Sequence, residues 1–334
     1  MLPSKRFAFV DALRAIAALS VVLFHALEGD HIPIIYDRVP WLLQAIVSRA
    51  NAGISIFFVL SGFVISHSLA GRALAVADVG RFMLKRSLRL DPPYWAAIAI
   101  SCAIVLAKGL PMFTAWQVAA HLIYVQDLLG FEDISPIFWT LCLEVQFYFV
   151  FALLLLSRSR MLMIAAFLVS IPLSTVILWH GLFTLLWYGF LLGVGAYFAA
   201  NRLVKAWMFF TYCLCLQGVA VAMNDQFMTV GVWTAIALYI VSLRQALTTA
   251  MNWRWIQFVG MISYSLYLIH SPVTGVAFRL VNMTVGNGYG AEVVGLAASL
   301  TGSILAAWAM YQLIERPSIR IARHYGANAI RANT

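Results

Sequence analysis

The chain has 334 residues and a formal net charge of +9; 63% of the residues are apolar or aromatic and 10% are charged, with a mean hydropathy of +0.89. Soluble domains are nearer about 45–50% apolar and about 25% charged. This composition excludes a soluble globular protein, a disordered chain and a nucleic-acid-binding protein. The four cysteines lie in apolar runs without metal-binding spacing, so we predict small buried hydrophobes and no metal site. The sequence predicts an integral membrane protein.

Ten apolar segments approach the length that crosses a hydrocarbon core of about 30 Å. They are 7–27, 52–70, 93–108, 136–156, 161–179, 182–200, 206–223, 228–247, 255–278 and 291–314. A further segment, 112–130, contains His121, Gln126 and Asp127, and we predict a surface or re-entrant helix there. We expect an all-α polytopic protein with one transmembrane domain over 1–334, no cleavable signal and no appended soluble domain.

The basic residues are distributed unevenly between the two sides of this topology. If the N-terminus lies inside, 17 of the 22 lysines and arginines fall in inside segments and 4 in outside segments, with Arg14 left within a span. Short loops rich in Lys and Arg stay in the cytoplasm. Both termini are therefore predicted to be cytoplasmic, and the basic charge needs no nucleic acid.

The first predicted span carries three ionisable residues. Asp11 and Arg14 are three residues apart and can pair on one side of a helix. His25 follows Arg14 by eleven residues, which returns it to nearly the same face at the other end of the helix. Charged groups in a span face a protein interior or a water-filled cavity. The alternative is a neutralised ion pair and an interfacial histidine.

Two later spans carry further polar stripes. Glu144 lies within the fourth span, with Thr140 and Tyr148 one turn to either side. In the ninth span Ser263, Tyr267 and His270 share one face. Each stripe fits a polar active-site interior, and each also fits hydrogen bonding between packed helices.

Arg86 and Arg89 lie at the inner mouth of the third span. Guanidinium groups suit phosphates, so these residues are candidates for binding a phosphorylated donor. Anchoring at the cytoplasmic surface is the simpler explanation for the same pair.

Together these segments resemble the acyltransferase-3 family of integral membrane acyltransferases. The matching segments, in chain order, are Val10–Arg14 with His25, Gly53–Ile65, Lys85–Leu90 with Pro92 and Tyr94, Phe138–Leu141 with Glu144, Phe147 and Tyr148, Ser263–His270, and Glu315–Pro317. The resemblance covers essentially the whole chain. One departure is a basic motif that opens with Lys85-Arg86. A second is expected, since some relatives carry a hydrolase-like domain after the last span and we expect none here.

The resemblance implies an O-acetyltransferase of a bacterial inner membrane. It implies acetyl-CoA, or another acyl-CoA, as a co-substrate with no permanently bound cofactor, and a carbohydrate or glycolipid acceptor such as an exopolysaccharide, a lipopolysaccharide or a lipid-linked sugar. The expected partners are therefore the bilayer, the acyl-CoA and the acceptor. Composition alone leaves open a secondary exporter of an anionic solute and a non-catalytic partner of a polysaccharide assembly complex. Oligomeric state and acceptor identity are not predicted.

The expected catalytic residues are His25 as general base, Glu144 to orient it, and Arg14 or a tyrosine to steady the thioester oxyanion. The donor is expected at Arg86, Arg89 and Arg14. Both direct transfer and an acyl-enzyme on His25 or Ser61 remain open. The supporting polar residues of the interior are expected to be Asp11, Ser61, Trp139, Tyr148, Ser263, Tyr267 and His270.

Overall fold

The computed structural model describes residues 6–69, 75–176 and 181–331, and all regular structure within these ranges is helical. In chain order the α-helices are α1 Ala8–Glu28, α2 Pro33–Arg38, α3 Trp41–Val47, α4 Gly53–Leu69, α5 Val76–Ala107, α6 Ala115–Leu122, α7 Trp139–Leu156, α8 Arg160–Val176, α9 Trp187–Ala200, α10 Ala206–Met223, α11 Gln226–Leu243, α12 Arg254–Thr284, α13 Tyr289–Met310 and α14 Arg316–Arg331. Single helical turns precede α4 and α9, and a π-helical turn, Tyr311–Glu315, joins α13 to α14.

The predicted all-α membrane architecture is confirmed. Each of the ten predicted segments contains a helix, although residues 70 and 177–179 lie outside the described ranges. Eight helical stretches of the described chain are long and apolar enough to cross a membrane. Helix α8 is one residue too short to meet that criterion, and the polar side chains of α12 lower its hydropathy. The count of ten spans and the side of the termini stay predictions.

Helix α5 begins much earlier than predicted. The predicted span starts at residue 93, after two prolines, but the helix runs from Val76 and includes Pro92 and Pro93. Proline interrupts a helix because it lacks an N–H and crowds the preceding turn. In membranes a neighbouring side chain can satisfy backbone groups near such a break, and here the Tyr264 hydroxyl donates to the Leu90 carbonyl over 2.8 Å. The basic motif therefore lies within α5.

The segment 112–130 contains only the eight-residue helix α6, followed by turns. Its polar residues are not on the surface, because His121 and Gln126 are fully buried. His121 Nδ1 lies 2.8 Å from the Gln117 carbonyl, and its Nε2 accepts from the Ile134 amide over 3.1 Å. The histidine thus joins α6 to the loop before α7, which explains its burial.

Burial was predicted for all four cysteines and is complete for two of them. Cys142 and Cys213 are buried, whereas Cys102 is half-buried and Cys215 is exposed on α10. The prediction was wrong for Cys215 because a membrane helix that is apolar on all sides also presents apolar residues outward.

Glycines set the closest helix contacts. A Cβ atom at Gly62 of α4 would lie 1.9 Å from the Phe190 carbonyl oxygen of α9, and one at Gly193 of α9 would lie 1.9 Å from the Val59 oxygen. Gly260 of α12 would be 2.1 Å from the Asp11 carbonyl oxygen of α1. Small residues let membrane helices approach this closely. They hold α4 against α9, and α12 against α1, around a polar interior.

Candidate active site

A cavity of about 340 Å³ lies among α1, α4, α5, α7, α12 and the π-helical turn that leads into α14. Its charged lining consists of Arg6, Arg14, Arg86, Arg89, Arg323, Asp11, Glu144 and Glu315. The formal sum is positive, with five arginines against three carboxylates. A partly enclosed basic cavity of this kind favours an anionic ligand.

Helix α1 contributes the predicted ion pair. Arg14 Nη1 lies 3.6 Å from Asp11 Oδ1, as the spacing of three residues indicated. The same carboxylate also contacts Arg6, which lies just before the helix and is half-exposed. Two guanidinium groups thus share one carboxylate, so some of their N–H groups stay available to a ligand.

Helix α5 contributes the two predicted donor-binding arginines. The Arg86 guanidinium lies 4.7 Å from the centre of the Tyr148 ring, and its Nη1 is 3.5 Å from the Tyr148 hydroxyl. Arg89 Nε is buried without a hydrogen-bond partner in the described chain. The charges that act on Arg89 include repulsion from Arg14 and Arg86 and attraction from Glu315. Three arginines therefore converge on one part of the cavity.

Glu144 lies in the middle of the cavity and accepts hydrogen bonds from two hydroxyl groups. The Ser61 hydroxyl donates to Glu144 Oε1 over 2.5 Å, and the Tyr148 hydroxyl donates to the same oxygen. The structure thus brings together three predicted residues from α4 and α7. No hydrogen bond or ion pair joins Glu144 to His25 in the described residues, so the predicted orienting contact is not formed.

One end of the cavity carries a pair of hydroxyl groups, from α7 and α12. Thr140 Oγ1 lies 2.7 Å from the Tyr267 hydroxyl, and Ser263 lines the wall nearby with its own hydroxyl donating to the Gly260 carbonyl. Trp139 is half-buried at the start of α7 and packs against the apolar core, outside the cavity lining.

His25 lies beyond this end and does not line the cavity. Its Nδ1 is 2.8 Å from Glu28 Oε2, and its side chain is 13% exposed against 55% for Glu28. The ring of His270 lies 5.2 Å from the His25 ring and 6.0 Å from the Tyr267 ring. His270 therefore lies next to both His25 and Tyr267, and Tyr267 lines the cavity. Glu28 was not among the predicted site residues, although its position three residues after His25 would have indicated the contact.

A second, open cleft of about 430 Å³ lies at the same end of the bundle as His25. It is lined by His31, Gly275, Phe278, Arg279, Asn282, Met283 and Asn287. His31 stacks on Phe278 with ring centres 4.6 Å apart, and burial lowers the pKa of His31 although Asp30 opposes the shift. The cleft therefore presents amide and guanidinium hydrogen-bonding groups beside an aromatic ring.

The helical bundle and its charged interior define an integral membrane protein with a partly enclosed cavity of positive formal charge. The chain belongs to the acyltransferase-3 family, since the family model described as an acyltransferase domain matches residues 7–312. The protein is therefore a membrane acyltransferase.

Curated relatives share this assignment. The chain is 25% identical to the exopolysaccharide production protein ExoZ of Rhizobium meliloti over 90% of this chain and 96% of that protein. It is 27% identical to the putative membrane-bound transacylase BcsY of Komagataeibacter xylinus over 95% and 84%. It is 24% identical to the putative peptidoglycan O-acetyltransferase YrhL of Bacillus subtilis over 79% of this chain and 48% of YrhL, so it spans about half the length of that relative. No solved structure matches the chain.

Proposed function

We propose that the protein is an O-acetyltransferase that moves an acetyl group from cytoplasmic acetyl-CoA to a hydroxyl of a carbohydrate acceptor. The acceptor class is an exopolysaccharide, a lipopolysaccharide or a lipid-linked sugar, and the membrane is a bacterial inner membrane. The observation that carries the proposal is a cavity with converging arginines that ends close to a pair of histidines. The printed names of ExoZ and YrhL, for exopolysaccharide production and O-acetylation, support the acceptor and acyl classes.

The donor end rests on Arg14, Arg86 and Arg89. Coenzyme A carries several phosphate groups, and a guanidinium binds phosphate through two parallel, charge-assisted hydrogen bonds. Arg89 has an unused buried donor, and Arg86 is held in place by the Tyr148 ring. In the predicted topology these residues belong to the cytoplasmic half. The acyl arm then extends along the cavity past Glu144 toward Thr140 and Tyr267.

The acceptor end rests on His25. A carboxylate only accepts hydrogen bonds, so the short contact with Glu28 places the His25 proton on Nδ1 and leaves Nε2 as a base. Glu28 takes the orienting place that the sequence assigned to Glu144. Glu144 is then a hydrogen-bonding centre for Ser61 and Tyr148 in the donor cavity. The neighbouring open cleft offers Asn282 and Asn287 to further hydroxyl groups of the acceptor.

The direct reaction balances with these groups. His25 Nε2 takes the proton of the acceptor hydroxyl while the hydroxyl oxygen forms a bond to the thioester carbonyl carbon. The carbon–sulfur bond breaks, and the proton passes from His25 to the thiolate, so that the products are an acetyl ester and free coenzyme A. The oxyanion that forms between these steps needs a hydrogen-bond donor, and we assign that role to the Tyr267 hydroxyl, because Arg14 lies eleven residues before His25 on α1, among the donor-binding arginines. In the covalent route Ser61 or His25 carries the acetyl group between the two substrates.

The test uses purified protein in liposomes with radiolabelled acetyl-CoA and a glycan extract. Wild-type protein transfers label to the extract, and His25→Ala loses transfer by about 10²–10⁴-fold because general-base catalysis is gone. His324→Ala, which changes an exposed histidine on α14, is the matched control and keeps wild-type transfer. Label on the denatured protein identifies the covalent route, and its absence identifies direct transfer.

Other results would overturn the proposal. Near-normal transfer by His25→Ala would remove the assigned base. If wild-type protein neither binds acetyl-CoA nor releases coenzyme A, an acyl donor of another class is required. Net flux of an anionic solute without acyl-CoA consumption would instead favour export. Rescue of a polymer defect by His25→Ala would favour an assembly partner.

A further inference from the structure

Two arginines of the cavity lining are not part of the deep cluster formed by Arg14, Arg86 and Arg89. They are Arg6, which precedes α1, and Arg323 on α14. Both are exposed, whereas the three residues of the deep cluster are half-buried. Exposure therefore divides the basic lining of the cavity into a deep part and a rim.

Helix α14 and the π-helical turn before it form one wall of the cavity. Four residues of this wall line the cavity at intervals of four positions: Tyr311, Glu315, Ile319 and Arg323. Residues four apart lie on one face of a helix, and Arg323 lies about 12 Å along the axis from Glu315. Glu315 is buried and its charge attracts Arg89. The wall therefore leads from the deep cluster to Arg323 at the rim.

The Arg323 charge is not neutralised by a carboxylate of the described chain, because none of the ion pairs there includes it. Arg6 differs in this respect, since it contacts Asp11 and donates to the Gln257 carbonyl oxygen over 3.2 Å. Of the two rim arginines, Arg323 is thus the one whose whole guanidinium group stays available to an anion.

Coenzyme A carries anionic groups at two levels. Its diphosphate adjoins the pantetheine arm, and its 3′-phosphate lies farther out, on the ribose of the adenosine. When the acyl arm extends into the cavity, the diphosphate reaches the deep cluster and the ribose stays at the rim. A phosphate monoester has a charge of about −1.5 to −2 at neutral pH and three acceptor oxygens, which an arginine binds well.

We propose that Arg323 binds the 3′-phosphate of the coenzyme A donor at the rim of the cavity. The inference rests on the proposed function and extends it, because it names a part of the donor that is recognised outside the deep cluster. The contact is remote from the thioester and is the same before and during the reaction. Its loss therefore raises the donor KM and leaves kcat unchanged.

The test changes the protein and the ligand together. Calorimetric titration in a neutral detergent at low salt compares coenzyme A with dephospho-coenzyme A, which lacks only the 3′-phosphate. Exposed ion pairs are weak, so we expect Arg323→Gln to bind coenzyme A about 5-fold more weakly than wild type. Its Kd for dephospho-coenzyme A should equal that of wild type. Arg320→Gln changes an exposed arginine of α14 outside the cavity lining, and this control should bind both ligands like wild type.

Three results would overturn the inference. An equal loss for both ligands in Arg323→Gln would show that the residue does not act on the 3′-phosphate. Unchanged affinity for coenzyme A would return Arg323 to anchoring at the membrane surface. Equal affinity of wild-type protein for the two ligands would exclude any contact with the 3′-phosphate, without need of a variant. The proposed function fails separately, if wild-type protein binds neither ligand.

Discussion

Arg89 is expected to lower stability while it raises donor affinity. Its Nε is buried without a hydrogen-bond partner in the described chain, and the charges of Arg14 and Arg86 repel it while Glu315 attracts it. Arg89→Met keeps an apolar stem that reaches the position of Nε and removes the charged guanidinium. An unsatisfied buried donor costs about 1–3 kcal/mol, so the variant should be more stable by about that amount. Such a gain in stability is expected where a residue serves ligand binding at the expense of the folded state.

The donor affinity of the same variant should fall. A hydrogen bond to a charged group contributes about 1.5–3 kcal/mol, so the Kd for coenzyme A should rise about 10- to 100-fold. Thermal unfolding in detergent followed by tryptophan fluorescence measures the first effect, and calorimetric titration with coenzyme A measures the second. Arg254→Met, at the exposed start of α12, is the matched control and should change neither.

One combination of results would refute this reasoning. A variant that melts lower and binds coenzyme A with unchanged affinity would show that Arg89 stabilises the fold through Glu315, and the donor assignment would have to move to other arginines. An increase in stability with unchanged affinity would likewise show that the unpaired donor does not face the ligand.

Two further predictions concern the outer end of the bundle. Glu28→Gln should lower kcat about 10- to 100-fold and leave the donor KM unchanged, because an amide can donate to His25 Nδ1 and move the imidazole proton to Nε2. The control in steady-state kinetics is Asp30→Asn, which removes an equal charge two residues away. Equal behaviour of the two variants would contradict the prediction. Burial and the charge of Asp133 raise the pKa of Asp127 from 3.8 to about 6, so the folded state binds more protons than the unfolded state and its stability falls as pH rises from about 4 to 6. Asp127→Asn should therefore be more stable than wild type at pH 7, by about 1 kcal/mol after solvent screening, and should lose this advantage near pH 4 in thermal melts; an equal difference at both pH values would contradict the assignment.

The helices could be predicted because a membrane requires long apolar runs, and the ion pair of Asp11 and Arg14 followed from their spacing on one helix. The start of α5 could not, because prolines favour a helix break and no local pattern shows that the helix continues through Pro92 and Pro93. The packing partner beside this stretch is α12, whose Tyr264 hydroxyl donates to the Leu90 carbonyl from more than 170 residues away. Contacts between helices could not be predicted from the sequence either. The Ser61–Glu144 pair depends on the relative heights of α4 and α7, which no spacing along the chain encodes.

In this bundle, residues that pack helices together lie next to polar residues that line the cavity. Successive residues on a helix point about 100° apart, so Gly62 can face α9 while Ser61 faces Glu144 in the cavity. In the same way Gly260 brings α12 against the backbone of α1 at Asp11, the helix that also carries His25. The close helix approach that glycine permits therefore fixes the heights at which the polar residues meet. Because interhelical hydrogen bonds in membranes average only about 0.6 kcal/mol, the glycine contacts, more than the polar network, must hold the site in register.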